Sequence, residues 1–204
     1  MRVTREPSAK VRDLIFINYR REDAGGYAGH LYERLCEHFC PEQVFRDLSS
    51  IPAGGNFIKY IREKIAESAA VLVVIGQEWL TCSVNGRRRL DDPHDFVRTE
   101  IVMALSDKDT LVIPVLVEDT KMPSRADLPD ALKPLSKLQA FPMSDVQFEF
   151  DMERLLALLD KRLEDTACAR AMNGRIRRAI CRSSVSSICG RASTPQKFAL
   201  RLME

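Results

Sequence analysis

The chain has 204 residues, is 45% hydrophobic and carries 31 Lys/Arg against 29 Asp/Glu, which is enough apolar material for one core and too balanced a charge for a polyelectrolyte. Its longest apolar run, AAVLVVIG at 69–76, falls far short of the roughly 20 residues that span a bilayer, and the N-terminal MRVTREPSAKVRD lacks a run of signal-peptide length, so a cytoplasmic protein without a membrane partner is expected. Cys36, Cys40, Cys82, Cys168, Cys181 and Cys189 form no CxxC pair, and His30, His38 and His94 do not stand at ligand spacing from one, so neither a disulfide scaffold nor a metal site is expected.

DLIFINY at 13–19 is continuously apolar and rich in branched and aromatic residues, the pattern of a parallel strand covered on both faces. After RREDAGG, the recurrence of Tyr27, Leu31, Leu35 and Phe39 every four residues predicts a helix. QVFRD at 43–47 reads as a second, short strand, and LSSIPAGGN as an exposed loop ending in Asn56, a candidate cap for a helix bearing Phe57, Ile61 and Ile65 on one face. AVLVVIG is the third strand, and QEWLTCSVNGRRRL a polar connection. DDPHD opens the next helix, with Asp92 expected as cap and Pro93 at the first helical position. Val97, Ile101, Ala104 and Leu105 then make its core stripe.

TLVIPVLV at 110–117 is the fourth strand, in which Pro114 signals a bend or a less central position. KLQAF is a short fifth strand, and SDVQ at 144 reads as a capping box opening a last helix that docks through Phe148, Met152, Leu155, Leu156, Leu159 and Leu163. Strands alternating with helices predict an α/β fold, a flavodoxin-like three-layer sandwich around a five-stranded parallel sheet. Its site is expected at the strands' carboxyl ends, in residues 19–26, 47–55 and 76–96. Residues 1–10 form an N-terminal extension, 11–163 the domain, and 164–204 a basic tail expected to be disordered, within which CARAMNGRIRRAI has the makings of a short helix. Residues 166–204 hold eight Lys/Arg and one acidic residue, leaving 23 basic and 28 acidic residues in 1–165. The tail lacks interleaved aromatics for base stacking, so nucleic acid is not an expected partner.

Four blocks, each at a strand end or on the helix that follows, carry a more specific pattern: FINYRRED at 16–23, VFRDLSSIPAGGNF at 44–57, VIGQEWL at 74–80 and DFVRTEIVMAL at 95–105. Together they resemble the TIR (Toll/interleukin-1 receptor) domain in its bacterial, NAD+-cleaving form, over roughly residues 11–163. The resemblance implies a glycohydrolase that breaks the nicotinamide–ribose bond and gives nicotinamide with ADP-ribose or a cyclic ADP-ribose. NAD+ is then the substrate, and no cofactor is needed. It also implies a role in bacterial immunity against phage, homo-oligomeric assembly with other TIR domains, and activation by a separate sensor protein. In this pattern Glu100 is the catalytic carboxylate, Tyr19, Arg20, Arg21 and Phe96 line the nucleotide site, and Phe45 and Asp47 flank the cleft beside the loop that mediates assembly. Pro52 stands where some enzymatic relatives carry an acidic residue. The alternative that the resemblance allows is a non-catalytic interaction or adaptor module.

The residue types suit this chemistry. Phe96 and Glu100 lie four apart on one helix and so share a face. Loss of nicotinamide leaves positive character on the ribose, which a fixed carboxylate stabilises, and the neutral pyridine leaving group needs no general acid. Arg20 and Arg21 have the fork geometry to grip a pyrophosphate. The plainer alternatives are that Glu100 is a solvated charge paired with Arg98 or Lys108, and that the arginines bridge to Glu22 or Asp23.

Overall fold

Along the chain, alternate residues of each apolar run belong to two different cores. In the computed structural model, which describes residues 12–46 and 57–188, the first strand β1 (Leu14–Asn18) sends Ile15 and Ile17 to one face and Phe16 to the other. The long third strand β3 (Ser68–Ile75) does the same with Ala70, Leu72 and Val74 against Val71, Val73 and Ile75. Both strands are buried throughout, as runs without polar alternation require.

Helix α1 (Arg21–His38) covers the first face through Ala24, Ala28, Leu31 and Leu35. The last helix, α4 (Phe148–Ile188), joins it through Phe148, Met152, Leu155 and Leu159. The second face is covered by α2 (Phe57–Ala66) with Ile61 and Ile65, by α3 (Phe96–Ser106) with Val97, Ile101 and Ala104, and by a 3-10 helix at Asp130–Lys137 with Leu132 and Leu135. Trp79 packs fully buried in this second core.

The sheet is five-stranded and wholly parallel, in the order β2 (Val44–Phe45), β1, β3, β6 (Leu111–Leu116), β7 (Phe141–Pro142). The expected three-layer α/β sandwich is therefore present. The chain moves outward from β1 to β2 on one side and from β3 to β6 on the other, so the strand order reverses between β1 and β3. Crossover helices diverge at such a point and leave a crevice at the carboxyl ends of the strands. Pro114 has its register partner, Val73, on β3, while β7 reaches only Val115 and Leu116. That stretch of β6 has no outer ladder among the described residues, which is where a missing N–H is tolerated.

Several boundaries differ from the sequence expectation. Helix α1 starts at Arg21, so RREDAGG is its first part, and Ala24 is a non-helical break within it. The polar connection after β3 contains a hairpin, β4 (Ser83–Val84) and β5 (Arg87–Arg88), turned by Asn85 at φ 53° and Gly86 at φ 74°. Two successive positive φ values define the turn that matches strand twist. Ser144 does not open α4, which begins at Phe148; its N–H donates instead to the Asp151 carboxylate at 3.1 Å. The expected cap Asn56 lies outside the described residues.

The chain divides into two units, Met1–Ala167 and Cys168–Glu204. Residues 164–188, read from the sequence as tail, are helical, in keeping with their content of alanine and arginine. Among the described residues no helix is long and apolar enough to cross a membrane.

One contact locks the start of α1 to the end of β3. The Asp23 carboxylate accepts the N–H of Gly76 at 2.8 Å and of Glu78 at 2.7 Å, satisfying the backbone where the strand stops. A Cβ on residue 76 would stand 2.6 Å from Asp23 Oδ1, so glycine permits the approach. Gly76→Ala is expected to destabilise the domain by about 1–3 kcal/mol, the usual cost of forcing an atom into a packed contact. Urea denaturation measures it, and a midpoint equal to that of the parent protein contradicts this account.

Candidate active site

Strand β1 ends in Asn18, which is completely buried, and the chain continues extended through Arg20 before α1 begins. Arg20 is 1% exposed and makes a two-pronged pair with Asp95, its two terminal nitrogens at 3.1 and 3.0 Å from the two carboxylate oxygens. Asp95 is the N-cap of α3 and accepts the Arg98 N–H at 3.0 Å. Arg89, arriving from the hairpin, adds a bond to Asp95 at 3.1 Å and another to Glu22 at 3.1 Å.

Asp95 is thus held by two guanidinium groups and one backbone N–H. Burial alone pushes its carboxyl pKa up, but the hydrogen bonds from Arg20 and Arg98 and the charges of Arg20 and Arg89 outweigh burial and hold it below the ordinary carboxylate value. The expected cap, Asp92, instead accepts the His94 N–H at 2.8 Å in a turn that leads into the helix, and Pro93 precedes the helix.

With its N-terminus fixed, α3 presents Glu100 to the crevice at the switch point. A cleft of about 320 Å³ opens there, lined by residues that follow three different strands: Tyr19, Arg20, Arg21 and Glu22 after β1, Arg46 after β2, and Arg89, Phe96, Val97 and Glu100 after β3. Glu100 is only 7% exposed, so it is not a solvated surface charge. Its Oε2 accepts Asn18 Nδ2–H at 2.6 Å, and the same amide nitrogen donates to the Val97 carbonyl at 3.2 Å. Arg98, a partner considered for Glu100, donates to the carbonyls of Leu90 and Asp91 at 3.0 and 2.8 Å. Phe96 is 49% exposed at the cleft wall, an unusual setting for a large aromatic on a helix whose neighbouring positions are core.

Tyr19, Arg20, Arg21, Phe96 and Glu100 therefore come together, and two of the expected site residues do not join them. Phe45 stacks on Phe16 with ring centroids 5.3 Å apart and leans on Tyr60 at 6.0 Å, so it belongs to the second core and not to the cleft lining. Asp47 lies outside the described residues, as does Pro52. Arg20 needs a different correction. It stands in the cleft wall, but its guanidinium is buried against Asp95 and has the role of a structural cation rather than a hand for pyrophosphate.

The cations that sequence reasoning missed are Arg46, which lies 4.8 Å over the Tyr32 ring, and Arg89. Strand alternation was the available signal for Arg46, because a core-facing Phe45 turns the next side chain to the opposite face. Cys82 lies outside the cleft lining, and among the described residues no group of three His, Cys, Asp or Glu is placed to hold a metal ion.

A second hollow, of about 380 Å³, is lined by Asp23, Gly26, Tyr27, His30, Glu118 and Asp145. It offers no comparable set. Asp23 is committed to the β3 backbone, and the Tyr27 phenol, pushed up to about 12 by burial and by its hydrogen bond to Asp145, stays protonated near neutrality.

The Asp95 network makes a measurable contribution to stability. A carboxylate held below its unfolded value of about 3.9 stabilises the fold above that pH and ceases to do so as pH falls through the folded value. Asp95→Asn is expected to cost about 3–5 kcal/mol at pH 7, because it leaves a buried guanidinium without its counter-charge. Denaturation series at several pH values should show that gap narrowing below pH ~4 as the parent protein loses the same charge. A gap independent of pH contradicts the assignment.

Comparison with known proteins agrees with this geometry. The family model described as TIR domain matches residues 15–156. Among solved structures, the TIR domains of the activated Roq1 resistosome, described as directly recognizing the pathogen effector XopQ, align with a TM-score of 0.55 and 16% identity over 70% of this chain and 96% of that one. Identity at that level carries the fold alone. No curated protein matches the chain. On a match that spans most of its length, the chain belongs to the TIR domain family.

Proposed function

We propose that this protein is a TIR-domain NAD+ glycohydrolase of the bacterial type, with Glu100 as its catalytic carboxylate. The observation that carries the reading is a carboxylate 7% exposed, in the wall of a cleft that also holds an exposed aromatic and arginines from separate strands. A buried acid in a crevice at the strand switch point is where substrate chemistry is expected in this architecture.

The nicotinamide–ribose bond breaks with its electron pair going to the pyridine nitrogen, so nicotinamide departs neutral and the ribose becomes oxocarbenium-like. Glu100, itself largely withdrawn from water, offsets that positive charge at short range. A water molecule attacks the anomeric carbon and releases its proton to solvent, giving ADP-ribose; attack by an adenine nitrogen gives the cyclic product. Phe96 stacks on the nicotinamide ring, and Arg21 and Arg46 meet the pyrophosphate.

At about 320 Å³ the cleft lies at the low end of the roughly 300–1,000 Å³ range of small-molecule sites. It suits one half of a dinucleotide, and a neighbouring copy, through its loop at 47–55, completes the site for the other half. Assembly of several copies, triggered by a separate sensor, is accordingly part of the proposal, as is a role in immune signalling in the cytoplasm. The assembled TIR domains of the resistosome structure support the assembly that the rival reading shares: an adaptor module that assembles without cleaving anything.

Nicotinamide release from NAD+ by the purified full chain, at concentrations that favour assembly, separates the two. The expected result is turnover that Glu100→Gln lowers by about 10²–10³-fold, the usual cost of removing a preorganised charge-stabilising group. Phe96→Ala is expected to raise KM roughly tenfold, since a stacked ring contributes about 1 kcal/mol or a little more. A protein inactive at every concentration, or turnover unchanged in Glu100→Gln, leaves the adaptor reading.

A further inference from the structure

We infer that Asn18 is a positioning residue for the Glu100 carboxylate: its side-chain amide fixes which way the acid points. The inference rests on the function proposed above and concerns a side chain outside the cleft lining. Asn18 ends β1 at the register of Val73, with no solvent exposure, directly behind α3. Its amide nitrogen spans two points one turn apart on that helix, the Val97 carbonyl at 3.2 Å and Glu100 Oε2 at 2.6 Å. The backbone contact sets the amide plane relative to the helix, and the short second contact then leaves the carboxylate little rotational freedom. A donor aimed at a carboxylate favours the charged form, which is the form that can stabilise a cationic ribose.

The other end of the same amide argues that the contact exists for the acid rather than for the fold. Asn18 Oδ1 is buried and accepts no hydrogen bond among the described residues. Turning the amide over would set that oxygen against the Glu100 carboxylate, so the observed orientation is the one the acid requires. An apolar side chain of similar volume would fill this position beneath α3 without burying an unsatisfied acceptor. The sequence keeps an amide there at the expense of that acceptor, and the carboxylate receives the benefit.

The test compares Asn18→Ala with Asn18→Ser, a pair that leaves nearly the same space and differs in one hydroxyl donor, in the full-length protein with NAD+ as substrate. Removing an orienting partner of this kind costs about 10–100-fold in activity. The expected result is a kcat lower by that factor in Asn18→Ala, a KM for NAD+ within about threefold of the parent value, and partial recovery of kcat in Asn18→Ser. Thermal melts confirm folded protein.

A readout independent of turnover is the side-chain amide signal of Asn18 in 15N-labelled protein. It is expected downfield of ordinary asparagine amides and should shift upfield in Glu100→Ala. Unchanged kcat in Asn18→Ala while Glu100→Gln is inactive, or an Asn18 signal indifferent to Glu100→Ala, overturns the inference and leaves the proposed function standing. A parent protein that never releases nicotinamide removes the proposed function, and the role assigned to Asn18 with it.

Discussion

A guanidinium taken wholly out of water must be met by an opposite charge in good geometry, and in this chain a single carboxylate meets that demand. Asp95 accepts both prongs of Arg20, a bond from Arg89 and the Arg98 N–H in the first turn of the helix it caps. Arg20 leaves the end of the first strand, Arg89 the hairpin after the third, and Asp95 the start of α3, so one ion cluster fixes three segments relative to one another. The cleft is the space those segments enclose. Burying such a pair is not a route to a more stable protein than an apolar contact would give, but it specifies one arrangement of the three segments.

On that frame two side chains four residues apart on α3 have opposite settings. Glu100 faces inward, covered, with Asn18 behind it, while Phe96 stands at the wall with half its surface in solvent. A carboxylate that has given up most of its hydration interacts with a nearby positive charge far more strongly than one on the surface, and a ring that has kept some exposure retains apolar area to cover when a flat ligand arrives. The cations around them have unequal freedom. Arg20 is tied to Asp95, Arg89 is shared between Asp95 and Glu22, and Arg46 rests over Tyr32, so the positive field in the cleft comes from groups whose positions are largely set beforehand.

The architecture was legible because its signals are collective. Residues 14–18 and 68–75 are apolar at every position, which only a strand covered on both faces tolerates, and the helical repeats between them announce the crossovers. The motif blocks led to Glu100 and Phe96 for the same reason, since four segments in order constrain one another. Individual side-chain partners were not legible. Nothing in YRR distinguishes an arginine that is buried from one that lines a cleft; that depends on Asp95, 75 residues away. The resemblance implies a place for Phe45 beside the cleft, whereas its ring stacks on Phe16 in the second core. The Asp92–Pro93 start for α3 obeyed good capping rules, yet an aspartate that caps a helix and also neutralises two arginines is worth more than one that only caps. The Asn85-Gly86 dipeptide is the strongest short hairpin signal in the segment, and the structure turns there.

The hairpin at 83–88 is secured at its roots and, through Arg88 of β5, to the Asp127 carbonyl at 2.7 Å. Upstream, Asp23 grips the backbone of Gly76 and Glu78, and downstream Arg98 grips the carbonyls of Leu90 and Asp91, so strain arising at the tip is absorbed before it reaches α3. The segment is in effect a grafting point. The turn beside the exposed Val84 makes none of these contacts, so it is the part that can vary without disturbing Arg88 or Arg89. Variation in the reach and shape of this turn is thereby uncoupled from the ion cluster at its base.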